Sequence, residues 1–288
     1  VIDFMIIGAQ KASTSSLQYH LRSHPEIYMP EGESALFEFP EYSMRLWEDF
    51  GKRGMVSGLK RPDNLCSIEI IDRISESLPT CKFIVVLREP VSRAISAYFH
   101  LARHGHLPAD NLDVGMKRCL ESYSSGANDM YSSVIENGLY GKYLRVWLQK
   151  YDGENFRIYS QDFVNSETQR CLGDICNFLG VNVLDDYSEF SDRVNVGFYS
   201  IALTKLYRVG HVLKTKSVEG TFRRIPTKNV FTLNIGRFLV KLAEFLSKYV
   251  DAKPSLNSDC MEELKKIYRE DEKLLIDILQ DKKIVYMG

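Results

Sequence analysis

The stretch Lys82-Phe83-Ile84-Val85-Val86-Leu87 constrains this chain most. It is continuous, apolar and rich in β-branched residues, the pattern of a strand covered on both faces. It runs into Arg88-Glu89-Pro90, and a proline there suits the first turn of a helix. The same order recurs at the start of the chain, where Met5-Ile6-Ile7-Gly8 leads through a short loop to a helix over about Thr14–Ser23. A further strand is expected at Met55–Gly58, followed by Leu59-Lys60-Arg61-Pro62 and a helix over about Ser67–Leu78, and a short one at Phe156–Tyr159. Strands separated by helices make an α/β fold with a central parallel sheet and helices on both faces. The helix after Pro90 carries Val91, Ile95, Phe99 and Ala102 on one side and Ser92, Ser96, His100 and Arg103 on another. Helices are also expected over about 112–122 and 140–151, with a loop at 124–129 between them. Ser166-Glu167-Thr168-Gln169 reads as a capping box opening a helix that Gly180 closes. The C-terminal part is helical, at about 200–214, 232–249 (Ile235, Leu239, Leu242, Leu246, Tyr249) and 259–280. With no repeat and no long linker, one domain over 1–288 is expected.

Parallel sheets bind ligands at the carboxyl ends of their strands. Three successive strand ends bring Lys11, Lys60 and Arg88 to one edge, which points to an anionic ligand. In the first loop, Gly8-Ala9-Gln10-Lys11-Ala12-Ser13-Thr14-Ser15 puts a lysine and several hydroxyls at a helix N-terminus, whose unpaired N–H groups and dipole favour a phosphate. The common nucleotide loop G-x-x-x-x-G-K-[ST] is not matched, because Lys11 precedes the hydroxyls by three residues and no second glycine is present. Taken alone, strand, loop, lysine and helix are also compatible with plain structure.

The totals narrow the partners. A net charge of -1 and a pI near 6.7 give no global basic field, so nucleic acid is not expected. The longest apolar runs are too short to span a bilayer. No signal peptide is visible, although a start at Val1 leaves room for a removed leader, and a cytoplasmic protein is expected. The six cysteines lack any C-x-x-C pair and read as reduced, mostly buried thiols. Neither they nor the six histidines show metal-ligand spacing, so no metal is expected.

Two segments together carry a family resemblance. Gly8-Ala9-Gln10-Lys11-Ala12-Ser13-Thr14-Ser15-Ser16-Leu17 resembles the 5′-phosphosulfate loop of sulfotransferases that use 3′-phosphoadenosine 5′-phosphosulfate (PAPS). The run from Lys82 to Tyr98 is similar to that family's 3′-phosphate strand and helix, with its arginine at Arg88 and its serine at Ser96. Weaker similarity touches Gly58–Pro62, Gly138–Trp147, Leu172–Gly180 and Leu264–Leu275 with Tyr268 and Asp271; the whole is nearest the heparan-sulfate-type and bacterial branch. The resemblance implies a P-loop-like sheet and transfer of a sulfo group to a hydroxyl or amine. Lys11 would stabilise the leaving group, Gln10, Ala12, Ser13, Thr14 and Ser15 would line the 5′ site, and Arg88 and Ser96 would hold the 3′-phosphate. Phe198 and Tyr199 would pack near the adenine. Glu33 matches the family's catalytic carboxylate, Lys60 would lie beside the transferring group, and His100 competes as the base.

The chain also departs from the pattern. The loop glycine of the family is Ser13 here, which suits a helix N-cap. Around Glu33 the branch's lysine has become Gly32, and its His-Phe-Phe segment has become Ser34-Ala35-Leu36-Phe37. The C-terminal cation loop is not clear; Arg223 and Arg224, or Lys214 and Lys216, could supply it. Arg93 reads as a surface or ion-pair residue, and Tyr140 and Trp147 as core. A small-molecule acceptor is expected, with a carbohydrate as the alternative, and the competing classes are an ATP-using P-loop kinase and a binding module without catalysis.

Overall fold

The computed structural model describes residues 2–38, 51, 54–184, 199–217, 224–250, 255–282 and 284–288. Its centre is strand β1 (Phe4–Gly8), all five residues of which are buried, as an apolar run covered on both faces requires. Beside it lie β3 (Val56–Lys60) and β4 (Lys82–Leu87), then β2 (Ile27–Tyr28) outside β3, and β5 (Phe156–Ser160) and β8 (Val285–Met287) outside β4. Every pairing in this six-stranded sheet is parallel, so the carboxyl ends share one edge. The longer strands fall where the apolar runs put them. The two- and three-residue edge strands β2 and β8 were not expected, because neither is long enough to show a period.

The helices among the described residues are α1 (Thr14–Arg22), α2 (Ile68–Ser77), α3 (Pro90–His104), α4 (Leu112–Ser124), α5 (Met130–Glu136), α6 (Tyr140–Trp147), α7 (Gln161–Ser166), α8 (Thr168–Leu179), α9 (Ile201–Lys214), α10 (Val230–Ser247) and α11 (Ser258–Asp281). Helix α5 was not foreseen, yet Asp129 and Ser132 form a reciprocal capping box at its start. The expected capping box at Ser166 is not formed. Ser166 ends the short helix α7, Glu167 occupies the N-cap of α8, and the Thr168 hydroxyl donates back to the Val164 carbonyl. Gly180 does close α8, with φ of 78°.

The described residues group into two compact units. The first takes Val1–Pro90, Leu139–Asn195 and Tyr268–Gly288, and holds the whole six-stranded sheet. One part of its core is aromatic, with the Phe83 ring 4.8, 4.6 and 5.1 Å from the rings of Trp147, Tyr151 and Phe156. Polar ends of these rings are satisfied: Trp147 Nε1 donates to the Leu65 carbonyl and the Tyr151 hydroxyl to that of Leu78. Helix α6 has no side-chain cap of its own. Asp271, from the far end of the sequence, accepts from Gly141 N at 2.8 Å and Lys142 N at 2.7 Å, two of the first-turn donors that a helix start leaves open.

The second unit takes Val91–Gly138 and Val196–Ile267. Arg93, expected at the surface or in an ion pair, is fully buried there and donates to the Val134 carbonyl, which ties α3 to α5. Strands β6 (Thr215–Ser217) and β7 (Arg224–Pro226) form an antiparallel pair between α9 and α10. The two helices pack backbone to backbone at one crossing. A Cβ on Gly236 would sit 2.6 Å from the Gly210 carbonyl oxygen, and one on Gly210 would sit 2.8 Å from that of Gly236.

Asp271→Ala removes the remote cap of α6 and should cost about 1–2 kcal/mol. The measurement is equilibrium unfolding in denaturant, and an unchanged midpoint would refute the capping role.

Candidate functional site

The three strand-end cations fall on adjacent strands. In the order β3, β1, β4, Ile6 pairs with Lys60 and Gly8 with Val85, so the loops holding Lys11, Lys60 and Arg88 leave the sheet side by side, about 4.8 Å apart per strand. The Arg88 guanidinium donates to the Lys11 carbonyl at 3.1 Å, and the Tyr140 hydroxyl of α6 donates to the Arg88 carbonyl at 2.9 Å. Tyr140 is a buried core residue, as expected, and it also fixes the backbone of a candidate ligand residue.

Lys60 is buried, with 2% of its surface exposed. Its ammonium donates to the Ser15 hydroxyl at 2.8 Å and lies 3.4 Å from Glu33 Oε1. Burial pulls its pKa below the ordinary lysine value, and Glu33 only partly opposes this. Glu33 also pairs with Arg61, whose NH1 lies 2.9 Å from Oε2. Arg61 bonds Glu38 as well and lies 3.3 Å from Asp63, and Asp63 accepts from Gln10 at 3.0 Å. Burial alone would lower the Arg61 pKa, but the carboxylates of Asp63, Glu38 and Glu33 raise it. One polar chain thus runs Gln10, Asp63, Arg61, Glu33, Lys60, Ser15 and joins the first loop to the end of β3.

The Glu33 loop is held from two sides. Ser34 N donates to the Lys60 carbonyl at 3.0 Å, and Gln18 of α1 donates to the carbonyls of Pro30 and Gly32 at 3.0 and 2.6 Å. Neither Gln18 nor Arg61 was picked out by sequence. Gln18 carried a usable signal, since a glutamine on the Leu17–Leu21 side of an amphipathic helix needs a partner inside.

The loop itself is in an unusual conformation. Lys11 and Ser13 have φ of 70° and 65°, in the left-handed region that glycine occupies at little cost. Ser13 stands at the N-cap position of α1 but makes no side-chain cap, contrary to expectation. Its hydroxyl accepts from Gln161 Nε2 at 2.8 Å instead. The backbone thus asks for the family's glycine here, and a serine tied to α7 takes the place. Ala12 and Thr14 are buried.

Other candidates belong to the second unit. Ser96 is buried in α3. The His100 ring stands 4.3 Å from that of His104, which is 4.8 Å from His211. Tyr199 packs edge-on against Phe99 at 5.5 Å. Arg224 lies in β7, in register with Ser217. Phe198 and Arg223 lie outside the described residues.

Ser13→Val should lose about 1–2 kcal/mol, because a β-branched side chain fits the left-handed region badly. Ser13→Gly should stay within about 1 kcal/mol of the parent, relief of the backbone offsetting the lost Gln161 bond. Thermal unfolding of the pair checks both, and equal losses would refute the conformational account. For Lys60 the sign follows from the lowered pKa: just below 10.5 the unfolded chain holds this proton and the folded chain gives it up. Its contribution to stability is therefore unfavourable at neutral pH and improves as pH rises toward 10.5. Lys60→Met should flatten that rise in a series of unfolding curves across mildly alkaline pH.

Comparison with known proteins agrees with this geometry. A sequence profile for the sulfotransferase domain matches residues 2–195. Heparan sulfate glucosamine 3-O-sulfotransferase 3B1 of Mus musculus is 29% identical over 199 residues, 67% of this chain and 50% of that protein. Heparan sulfate glucosamine 3-O-sulfotransferase 5 of Mus musculus is 24% identical over 211 residues, 70% of this chain and 60% of that protein. The chain spans about half the length of the first of these relatives. A solved sulfotransferase from Alicyclobacillus acidocaldarius superposes with a TM-score of 0.57 at 25% identity, over 65% of this chain and 85% of that one. With a parallel sheet, a lysine loop after its first strand and a profile match over most of its length, the chain belongs to the sulfotransferase domain family.

Proposed function

We propose that this chain transfers a sulfo group from PAPS to a hydroxyl or amine of a small-molecule acceptor. The observation that carries the reading is the buried Lys60, joined to both Ser15 and Glu33, on the strand beside the pair whose ends bear Lys11 and Arg88. The donor set fits the nucleotide. A left-handed loop at the start of α1, with hydroxyls at Thr14 and Ser15, supplies N–H and O–H donors for the 5′ group. Arg88 and Ser96 would hold the 3′-phosphate. Gln10, Ala12 and Ser13 shape the loop, with Tyr199, Phe198, Arg223 and Arg224 as the candidates for the adenine and 3′ ends. Bound there, PAPS supplies an activated sulfo group on a bisphosphate leaving group.

The residues divide the charge work. Lys11 meets the negative charge that develops on the leaving side, a role of the kind that can be worth about 3–4 kcal/mol. Glu33 takes the acceptor proton, a contribution of about 10²–10⁴-fold. Lys60 and Arg61 hold its two oxygens, which fixes the carboxylate before an acceptor arrives. Glu33 is preferred to His100 as the base because it shares the hydrogen-bonded chain that reaches the phosphate loop. The altered neighbours Gly32, Ser34 and Ala35 give the acceptor side a different lining from the branch it resembles, while Phe37 is buried in the core. The names of the relatives favour a second reading of the acceptor, a carbohydrate. An ATP-using kinase fits less well, because it needs a carboxylate for Mg²⁺ at the end of a core strand, where β4 leads into Arg88.

Lys11→Met should abolish transfer of labelled sulfate with a native unfolding curve. Glu33→Gln should lower kcat by about 10²–10⁴-fold while also losing stability, because it takes the carboxylate from the buried Lys60. Adenosine 3′,5′-bisphosphate should raise the Tm more than ATP with Mg²⁺, and Arg88→Ala should remove that difference. A larger shift with ATP, or near-normal turnover in Lys11→Met, would overturn the reading. Mass spectrometry of products from metabolite and oligosaccharide panels separates the two acceptor classes.

A further inference from the structure

The segment after the profile match has a charge of its own. Residues 200–250 hold ten Lys and Arg against Glu219 and Glu244, a net of +8 in a chain of net -1. The rest of the chain therefore carries -9. Near-neutrality of the whole conceals a strongly basic part.

Within that part, α10 has two apolar faces. One carries Gly236, Val240 and Ala243, buried against α9 at the glycine crossing. The other carries Phe231, Ile235, Phe238, Leu242, Phe245 and Tyr249, spaced alternately four and three residues apart through the helix and just past its end. This ladder is about 27 Å long by helical rise. It faces outward: Phe231, Phe238, Phe245 and Tyr249 are 74%, 64%, 55% and 73% exposed. A continuous row of exposed aromatics this long is beyond the scattered apolar residues of an ordinary surface. By helical spacing Arg237, Lys241 and Lys248 fall together along one edge of the ladder, with Glu244 as the acidic residue beside them. Among the described residues no helix is long and apolar enough to cross a membrane.

We propose that this face of α10 binds the surface of an anionic phospholipid membrane, lying in the interface with the aromatic ladder among the acyl chains and the basic edge at the headgroups. Aromatic and aliphatic side chains on one face with Lys and Arg beside them are the composition of an interfacial helix. The charge selects the occupant. A second copy would bring +8 against +8, whereas anionic lipid is complementary to the whole segment. A soluble polyanion would satisfy the cations but leave the aromatic ladder in water. The inference is independent of the reaction proposed above.

The test is flotation of the full chain with vesicles of phosphatidylcholine alone, or of an equal mixture of phosphatidylcholine and phosphatidylglycerol. At low salt the mixed vesicles should carry at least about tenfold more protein, and added salt should reduce the difference. Phe238→Ser with Phe245→Ser should lower binding to mixed vesicles by at least about tenfold. Lys241→Gln with Lys248→Gln should lower it while leaving the unfolding curve in place. Equal recovery on the two vesicle types, or binding that the phenylalanine variant leaves unchanged, would overturn the proposal. So would a concentration-dependent dimer, seen by sedimentation and lost in that variant, which would give the face to a second copy. Retention on immobilised heparin without vesicle binding would overturn it too, in favour of a polyanion.

Discussion

The site depends on how one buried ammonium is compensated. Lys60 stands at the end of a strand inside the sheet, where water cannot solvate its charge. An uncompensated charge there would cost several kcal/mol. Ser15 and Glu33 supply the compensation, one from the first turn of α1 and the other from the loop after β2. The lysine therefore does structural and electrostatic work together. It draws the start of α1 toward β3 and holds a carboxylate beside the same edge. Arg61, next in sequence, extends the arrangement to Glu38 and Asp63, so three acidic groups surround two cations. The ordering of the Glu33 loop and the electrostatics at the start of α1 are one problem with one solution.

That coupling explains which parts of the site were legible in the sequence. A parallel sheet sends every carboxyl end to one edge, so Lys11, Lys60 and Arg88 could be placed together from strand ends alone. The longer strands were readable because burial on both faces leaves an unbroken apolar run, as in Phe83–Leu87. Edge strands β2 and β8 left no such trace. For residues that act through contacts far apart in sequence, the partner left no trace, even where the residue itself stood out, as Gln18 does on the apolar side of α1. Gln18 reaches the Pro30 and Gly32 carbonyls, Gln161 reaches Ser13, and Asp271 reaches the start of α6. Nothing in the local composition around these residues names the partner. Arg93 misled for a related reason: a helix arginine is usually solvated, whereas this one is buried and donates to the Val134 carbonyl of α5.

The departures from the family pattern also sort by physical cause. At Ser13 the backbone still takes the left-handed conformation that suits glycine, so what changed is the residue and not the loop. The serine brings a compensating contact, because its hydroxyl is held by Gln161. Around Glu33 the change is of another kind. The neighbouring lysine is gone, but Lys60 and Arg61 both reach the carboxylate from β3 and the loop after it. In this chain the cations that pair with the carboxylate come from β3 and the residue after it, not from its own loop.

The helical C-terminal part shows the opposite relation between average and local properties. The expected apolar stripe of α10, Ile235, Leu239, Leu242, Leu246 and Tyr249, mixed two faces. Leu239 sits at the Gly210 crossing and Leu246 packs with Leu203 and Ala243, whereas Ile235 and Tyr249 look outward with the phenylalanines. A helix that needed only to cover its neighbour would have one such face, with polar residues opposite. The outward face instead keeps large apolar groups while the charge around it is almost all positive. The apolar groups raise the cost of leaving the face in water, and the like charge raises the cost of pairing it with itself. Neither is needed for the packing of α9 on α10, which the glycine crossing already secures. A surface that serves no packing inside its own unit, and whose charge opposes self-association, is built for contact with something negatively charged and apolar beneath.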